Sequence, residues 1–425
     1  MASRTSLVAR RAFPQVLDAL GDTRVVVLNG ARQVGKSTLA ETVLRHRPDG
    51  SARFLDDVAT RAAAQSDPTA FVRHDGLLFV DEVQRVPDLW LAIKHEVDRD
   101  PRPGRFLLTG SARLLALRAL PDALVGRAET IELWPLSQGE IDDQTDGFVD
   151  AVFEEGTPPS GPCAMRKRDY LDRVARGGYP EAVRRDSPAR RRRFFDSYVS
   201  DLIVRDVQQV AEISRISELR RLLALLAGQA GGLLTVERLA GALALHAKTV
   251  AHYLDILETI FVVRTIPGWT SGAASRAVAK AKLIFVDSGL AAHLNGTLAS
   301  GQSNAVGGLL ENFVLGELAR QLTWSQVQAQ LFHYRDRDQY EVDALIEASD
   351  GRIVGVEVKA SETVRADDFR GLGVLQRRLG DRFVGGYVLY CGENALNFGA
   401  GMRAVPISAL WRAWTSQGDE GTVGR

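Results

Sequence analysis

Short, unbroken apolar runs separated by longer amphipathic stretches set the rhythm of the amino-terminal part of the chain. Val25-Val26-Val27-Leu28, Leu77-Leu78-Phe79-Val80 and Phe106-Leu107-Leu108 show no polar alternation. Runs of that length and content read as strands buried on both faces of a parallel sheet. Thr38-Leu39-Ala40-Glu41-Thr42-Val43-Leu44, after the first run, reads as the start of a helix. The alternation predicts a parallel α/β sheet over residues 20–140, ending near Trp134-Pro135-Leu136-Ser137.

The pattern then changes twice. Residues 141–168 pass from acidic, through Gly156-Thr157-Pro158-Pro159-Ser160-Gly161-Pro162, to basic, which predicts a loop or linker. Residues 169–268 read as helical. Leu219 to Leu226 supply a leucine face, Gly231-Gly232 break it, and Thr235 is placed to cap the helix from Val236 to Leu243. A further helix from Ala247 to Leu257 follows a short turn, and Ile260-Phe261-Val262-Val263-Arg264-Thr265 reads as a strand. That order predicts a winged helix-turn-helix. Lys248, Thr249 and His252 would then lie on a recognition helix; a packing module between the other parts is the plainer reading. Residues 280–412 return to mixed helix and strand, with an amphipathic helix around Glu311 and strands around Asp343 and Glu357. No internal period suggests a solenoid.

Composition narrows the class. The 425 residues suffice for two or three cores, and 45% hydrophobic with 25% charged residues is an ordinary folded composition. Formal net charge is zero, so any attraction to a polyanion must be local. The most basic segment runs from Arg184-Arg185 through Arg190-Arg191-Arg192-Arg193-Phe194-Phe195. It reads either as a phosphate-tracking surface or as a solvated helix face paired with the acidic 140–155 stretch. DNA or another nucleic acid is therefore a candidate partner. Cys163 and Cys391 lie in unlike contexts, form no metal-ligand cluster and leave one disulfide open. With no apolar leader core and no membrane-length apolar stretch, the expectation is a cytoplasmic protein with no membrane partner.

The sharpest chemistry sits between the first strand and helix. Gly30-Ala31-Arg32-Gln33-Val34-Gly35-Lys36-Ser37, followed by Thr38, is the P-loop signature in its proper context. Such a turn aims backbone N–H groups and a helix N-terminus at phosphate. Lys36 would reach the β- and γ-phosphates and Ser37 would hold Mg²⁺, so ATP and Mg²⁺ are the expected ligands. Asp81 and Glu82 close the next apolar run; Asp81 would meet the metal shell and Glu82 would orient water. Thr109 or Ser111, ending the third run, would sense the γ-phosphate or cap the following helix. Arg127 is the favoured charge-neutralising arginine, acting in cis or across a contact with a second copy, and Arg113 competes for the role. A homo-oligomer is thus a candidate assembly.

A second constellation lies in the last part. One helix acid, Glu311, one strand acid, Asp343, and Glu357 with Lys359 two residues on form the set Glu, Asp, Glu-x-Lys. In nucleases of that pattern the carboxylates hold Mg²⁺ at the scissile phosphate and the lysine helps form or position the nucleophilic water. An ordinary charged hairpin is the alternative.

Taken together, these motifs resemble those of prokaryotic AAA-type P-loop ATPases joined to a restriction-endonuclease-like, PD-(D/E)xK C-terminal domain of unknown function. Besides residues 30–37, the resemblance rests on Leu78-Phe79-Val80-Asp81-Glu82-Val83-Gln84, Leu108-Thr109-Gly110-Ser111 and Gly126-Arg127. It continues in Gly177-Gly178-Tyr179-Pro180-Glu181, Lys282-Leu283-Ile284-Phe285-Val286-Asp287, Leu310-Glu311-Asn312-Phe313, Glu341-Val342-Asp343 and Val356-Glu357-Val358-Lys359. The resemblance implies nucleotide binding and nuclease ancestry. The expected function is an ATPase whose nucleotide state controls metal-dependent DNA cleavage; the alternative is a regulatory ATPase whose inactive nuclease-like domain binds DNA or protein partners.

Overall fold

The fold comes from a computed structural model that describes residues 7–111, 124–154, 158, 162–203, 207, 216–272, 276, 279–296 and 303–414. The amino-terminal part orders as α1 (Ala12–Asp22), β1 (Val25–Asn29), α2 (Lys36–Arg45), β2 (Ser51–Phe54), α3 (Val58–Ser66), α4 (Pro68–Phe71), β3 (Leu78–Asp81), α5 (Leu89–Arg99), β4 (Phe106–Gly110) and β5 (Ala128–Glu132). The strands form one parallel sheet in the order β2-β3-β4-β1-β5. Successive side chains of a strand point to opposite faces. Val26 and Leu28 accordingly enter one apolar core while Val25 and Val27 enter another. Burial on both faces explains the unbroken apolar runs. Because β4 lies between β1 and β3, the ends of all three strands meet on one edge.

The stretch expected as a linker is partly core. After α6 (Gln138–Asp142) comes α7 (Phe148–Phe153), where Phe148, Val149 and Val152 are buried. The Phe148 ring packs edge-on against Tyr387 at 5.7 Å and Trp414 at 5.5 Å, both far along the chain. Those distant aromatics, absent from the local pattern, hold the helix; residues 155–157 and 159–161 lie outside the described residues.

The middle comprises α8 (Lys167–Arg176), α9 (Pro180–Val183), α10 (Pro188–Asp201), α11 (Ile216–Ala227), α12 (Val236–Leu243), α13 (Ala247–Thr259) and β6 (Val263–Ile266). Thr235 does occupy the N-cap of α12, but its side chain makes no cap hydrogen bond. The first strand of the supposed C-terminal part, β7 (Lys282–Phe285), turns back and pairs antiparallel with β6. The boundary at residue 280 therefore cuts through a hairpin.

Then come α14 (Ser288–Asn295), the long α15 (Ser303–Gln321), β8 (Ala329–Arg335), β9 (Glu341–Ala348), β10 (Ile353–Lys359), α16 (Arg370–Leu379), β11 (Phe383–Tyr390), β12 (Leu396–Asn397) and β13 (Met402–Pro406). Their strands form a separate mixed sheet in the order β12-β13-β11-β10-β9-β8. Neighbours β8, β9 and β10 are antiparallel, whereas β10, β11 and β13 are parallel. Helix α15 packs on α7, α8, β7 and β10, and its Glu317 accepts the N–H of Gln138 at the end of the amino-terminal region, so it touches all three regions. One apolar core runs continuously from the first sheet through the middle to one face of the second. Among the described residues, no helix is long and apolar enough to cross a membrane.

Candidate functional site

The P-loop leaves β1 and enters α2 through two glycines that no other residue could replace cheaply. Gly30 has φ +152°, and a Cβ there would lie 2.2 Å from the Leu133 carbonyl oxygen. Gly35, at φ +98°, is the left-handed N-cap that turns the chain into the helix. Buried Lys36 donates its Nζ hydrogens to the carbonyls of Gly30 at 3.0 Å and Ala31 at 2.9 Å. The ammonium thus sits inside the loop, and a triphosphate entering it would exchange neutral carbonyls for anionic oxygens.

The three strand ends converge as the sheet order requires. Ser37 Oγ donates to Asp81 Oδ1 at 2.7 Å, and Thr109 Oγ1 donates to the same oxygen at 2.6 Å. Thr109 also accepts the backbone N–H of Glu82 at 3.0 Å. Glu82 has φ 56°, costly for a residue with a Cβ. The bond from Thr109 holds that turn. The Glu82 carboxylate accepts from Ser111 Oγ at 3.2 Å and from Gln84 Nε2. Ser37 and Asp81 offer oxygen donors of the kind Mg²⁺ takes beside phosphate oxygens. The donor set fits that ion.

A cavity of about 920 Å³ runs along this edge. Gln33, Gly35, Lys36, Ser37, Thr38 and Glu82 line one side. Its other walls include Phe13, His46, Arg176 and Arg184. The size suits a nucleotide. Arg10 braces the floor: it donates to the carbonyls of Val34 at 2.7 Å and Trp134 at 2.6 Å, and pairs with Glu140 at 3.1 Å. The sequence reading missed Arg10 and Arg176, and it named Gln84 only within the resemblance motif and Arg184 only as part of the basic run, not as part of this site.

Arg127 requires a correction. Its carbonyl accepts the N–H of Val25 at 3.3 Å, placing it at the start of β1, whereas the P-loop is at the end. Five strand residues separate the two edges, roughly 16 Å by strand rise. Its guanidinium pairs instead with Asp98 at 2.5 Å. A role in cis is excluded by this placement, and the role across a subunit contact stays a proposal. Arg113 lies outside the described residues.

In the second sheet the structure brings Glu311, Asp343, Glu357 and Lys359 together, but not around a vacant cation position. Lys282, from the β6–β7 hairpin, donates to Asp343 Oδ1 at 2.9 Å and to Glu311 Oε1. Asp343 Oδ2 accepts the Val358 N–H at 2.9 Å, and Glu357 accepts from Lys359 at 2.9 Å. Among the described residues, no three His, Cys, Asp or Glu side chains are arranged to hold a metal ion. Where the sequence reading expected Glu311, Asp343 and Glu357 around a metal ion, a lysine ammonium lies between Glu311 and Asp343. Burial and the neighbouring Asp343 charge push the carboxyls of Glu311 and Glu357 upward. Burial opposes the charge on Lys282, yet Asp343 and Glu311 outweigh it and raise its pKa. The sequence reading named Lys282 only within the resemblance, with no role beside the acids.

The candidate nucleic-acid residues are exposed rather than gathered. Lys248 and His252 lie exposed on α13, with Thr249 half-buried. On α10, Arg190, Arg192 and Arg193 are exposed while Phe194 and Phe195 are buried, so neither aromatic ring is free to stack on a base. Cys163 and Cys391 are both buried free thiols.

Comparison with known proteins matches residues 22–142 to an AAA domain. Residues 167–301 and 306–410 match two domains of unknown function, DUF8612 and DUF4143. The uncharacterized protein Rv2008c of Mycobacterium tuberculosis is 30% identical over 364 residues, 84% of this chain and 75% of that protein. The uncharacterized protein Mb2031c of Mycobacterium bovis matches to the same extent. An uncharacterized Haemophilus influenzae protein is 22% identical over 348 residues, 74% of this chain and 79% of its own. Among solved structures, the Walker-type ATPase PABY2304 of Pyrococcus abyssi aligns with TM-score 0.42 at 15% identity, covering 68% of this chain and 97% of that one. The Thermotoga maritima RuvB branch-migration motor aligns at 0.29 and 18%, covering 60% and 89%.

Proposed function

The chain belongs to the family of the two mycobacterial proteins and carries an AAA-type P-loop domain, and on that premise we propose that it binds and hydrolyses ATP with Mg²⁺. The observation that carries this is the convergence of Ser37, Asp81, Thr109 and Glu82 on one sheet edge, beside the Lys36 loop. Mg²⁺, when bound, neutralises charge on the β- and γ-phosphate oxygens. Ser37 and Asp81 would hold it. Lys36 would bind the same phosphates, and the P-loop N–H groups would fix their position. Glu82, aligned by Ser111, Gln84 and the Thr109 bond to its backbone, would orient the attacking water. Replacing Lys36 by Ala should weaken ATP binding strongly while the fold persists. Calorimetric ATP affinity equal to the parent's would remove Lys36 from the site.

For the rest of the chain the reading is a regulatory ATPase whose C-terminal domain is restriction-endonuclease-like in ancestry and binds rather than cuts. The convergence of Glu311, Asp343, Glu357 and Lys359 supports the ancestry; Lys282, seated between two of the acids, supports loss of cleavage. The turn from α12 to α13 with the β6–β7 hairpin supports a winged helix-turn-helix, and the exposed α10 arginines support nucleic acid as partner. Purified parent protein should leave single- and double-stranded DNA and RNA intact in Mg²⁺ or Mn²⁺, with or without ATP. Cleavage abolished by Asp343→Ala or Glu357→Ala would restore the nuclease reading.

A further inference from the structure

The acid cluster of the second sheet contains its own cation. Lys282 is 5% exposed, and its Nζ touches carboxylates from two different elements, Glu311 on α15 and Asp343 on β9. Its backbone sits in the middle region, opposite Ile266 in the hairpin register and bridged to Leu233 on the other side. The ammonium is therefore delivered to the acids from outside the sheet that carries Asp343. The next residue of α15 grips the same strand: the Phe285 N–H donates to Asn312 Oδ1 at 2.7 Å, and Asn312 Nδ2 donates to the Phe285 carbonyl at 3.2 Å. Adjacent positions 311 and 312 thus clamp both ends of β7.

We propose that Lys282 is a resident cation standing where a metal ion would bridge Glu311 and Asp343, and that it latches the β6–β7 hairpin over the acid cluster so that the latched site excludes divalent metal. This rests on reading the second sheet as nuclease-like and non-cleaving. The chemistry is a substitution of one cation for another. Two carboxylate oxygens already lie around one point, and small side-chain shifts would bring them to the 2.0–2.6 Å that divalent ions require. With the ammonium present, a divalent ion would add like charge to a filled position. Without it, buried carboxylates lack a counter-charge, which is strongly destabilising.

The test is Mn²⁺ binding to nucleotide-free full-length protein, followed by electron paramagnetic resonance of free Mn²⁺. The parent, Lys282→Met, and each with Asp343→Asn are compared, so that the Asp343→Asn difference isolates this site from the P-loop. The parent should show no Asp343-dependent Mn²⁺. Lys282→Met should gain a site at least about tenfold tighter than any in the parent, lost again on adding Asp343→Asn. If Lys282→Met folds poorly, Mn²⁺ should restore its thermal transition, and the double variant should fold without metal because the excess negative charge is gone. An Asp343-dependent Mn²⁺ site in the parent, a folded Lys282→Met chain that gains none, or a poorly folded one rescued by neither route overturns the latch. Nuclease assays on the same samples judge the underlying reading separately. Parent Mn²⁺ binding without cleavage sinks only the latch, whereas Asp343-dependent cleavage sinks the non-cleaving reading with it.

Discussion

Asp81 Oδ1 takes hydrogen bonds from both Ser37 and Thr109, so one carboxylate oxygen ties the P-loop helix to two strand ends. The residues of this edge were legible because their chemistry is local in sequence. Residues 30–37 form one contiguous turn, and Asp81-Glu82 and Thr109 each end an apolar run. Arg10 was not legible: its partners Val34, Trp134 and Glu140 are distant in the chain, and an arginine before a helix carries no pattern. Asp146 was silent for the same reason. It accepts from Ser137 Oγ at 2.6 Å and the Gly139 N–H at 3.0 Å, and burial, aided by the nearby Glu317 charge, pushes its pKa up to about 7. A carboxyl raised in the folded state stabilises below its unfolded pKa of about 4, and that contribution is lost as pH climbs through the folded value. Parent stability should therefore decline between about pH 4 and 7 relative to Asp146→Asn, which cannot ionise there. Urea denaturation of both proteins across that range checks it; parallel profiles would mean that Asp146 is ionised throughout.

At the scale of elements, strands buried on both faces were the most legible and short helices the least. The runs that became β1, β3 and β4 needed no partner to be recognised, because their length and lack of alternation define them. Helix α7 is only six residues long and follows an acidic stretch, so its apolar content passed for a linker. What fixes it is packing against Tyr387, Trp414 and α15. Phe148→Ala should cost about 3–5 kcal/mol, the usual range for a buried aromatic, even though it sits between regions assigned to separate domains. Denaturant midpoints would show this directly, and a loss under about 1 kcal/mol would mean that α7 is a dispensable connector. The β6–β7 pairing was hidden likewise. Residues 267–281 separate the strands, too long a connection for any turn signal to announce a hairpin.

Across the whole molecule, the continuous core and α15 make the three regions mechanically dependent. Helix α15 presents Glu311 to Lys282 near its middle and Glu317 to the Gln138 N–H, at 3.0 Å, farther on. Gln321 of the same helix accepts the Val149 N–H at 3.2 Å. The C-terminal acid cluster, α6 and α7 are thus tied to one helix, although composition and net charge carry no trace of it. The C-terminal constellation was legible as a set of residues but not as a closed one, since its fifth charge, Lys282, comes from another region. The core of the proposed function is that the amino-terminal sheet turns over ATP. The direct test is Glu82→Gln in the full-length protein, with ATP affinity by calorimetry and phosphate release under single-turnover conditions. The account predicts parental affinity with hydrolysis slowed about 10²-fold or more, the scale for removing a proton-handling group. Phosphate release at the parental rate, with ATP bound equally well, would contradict it.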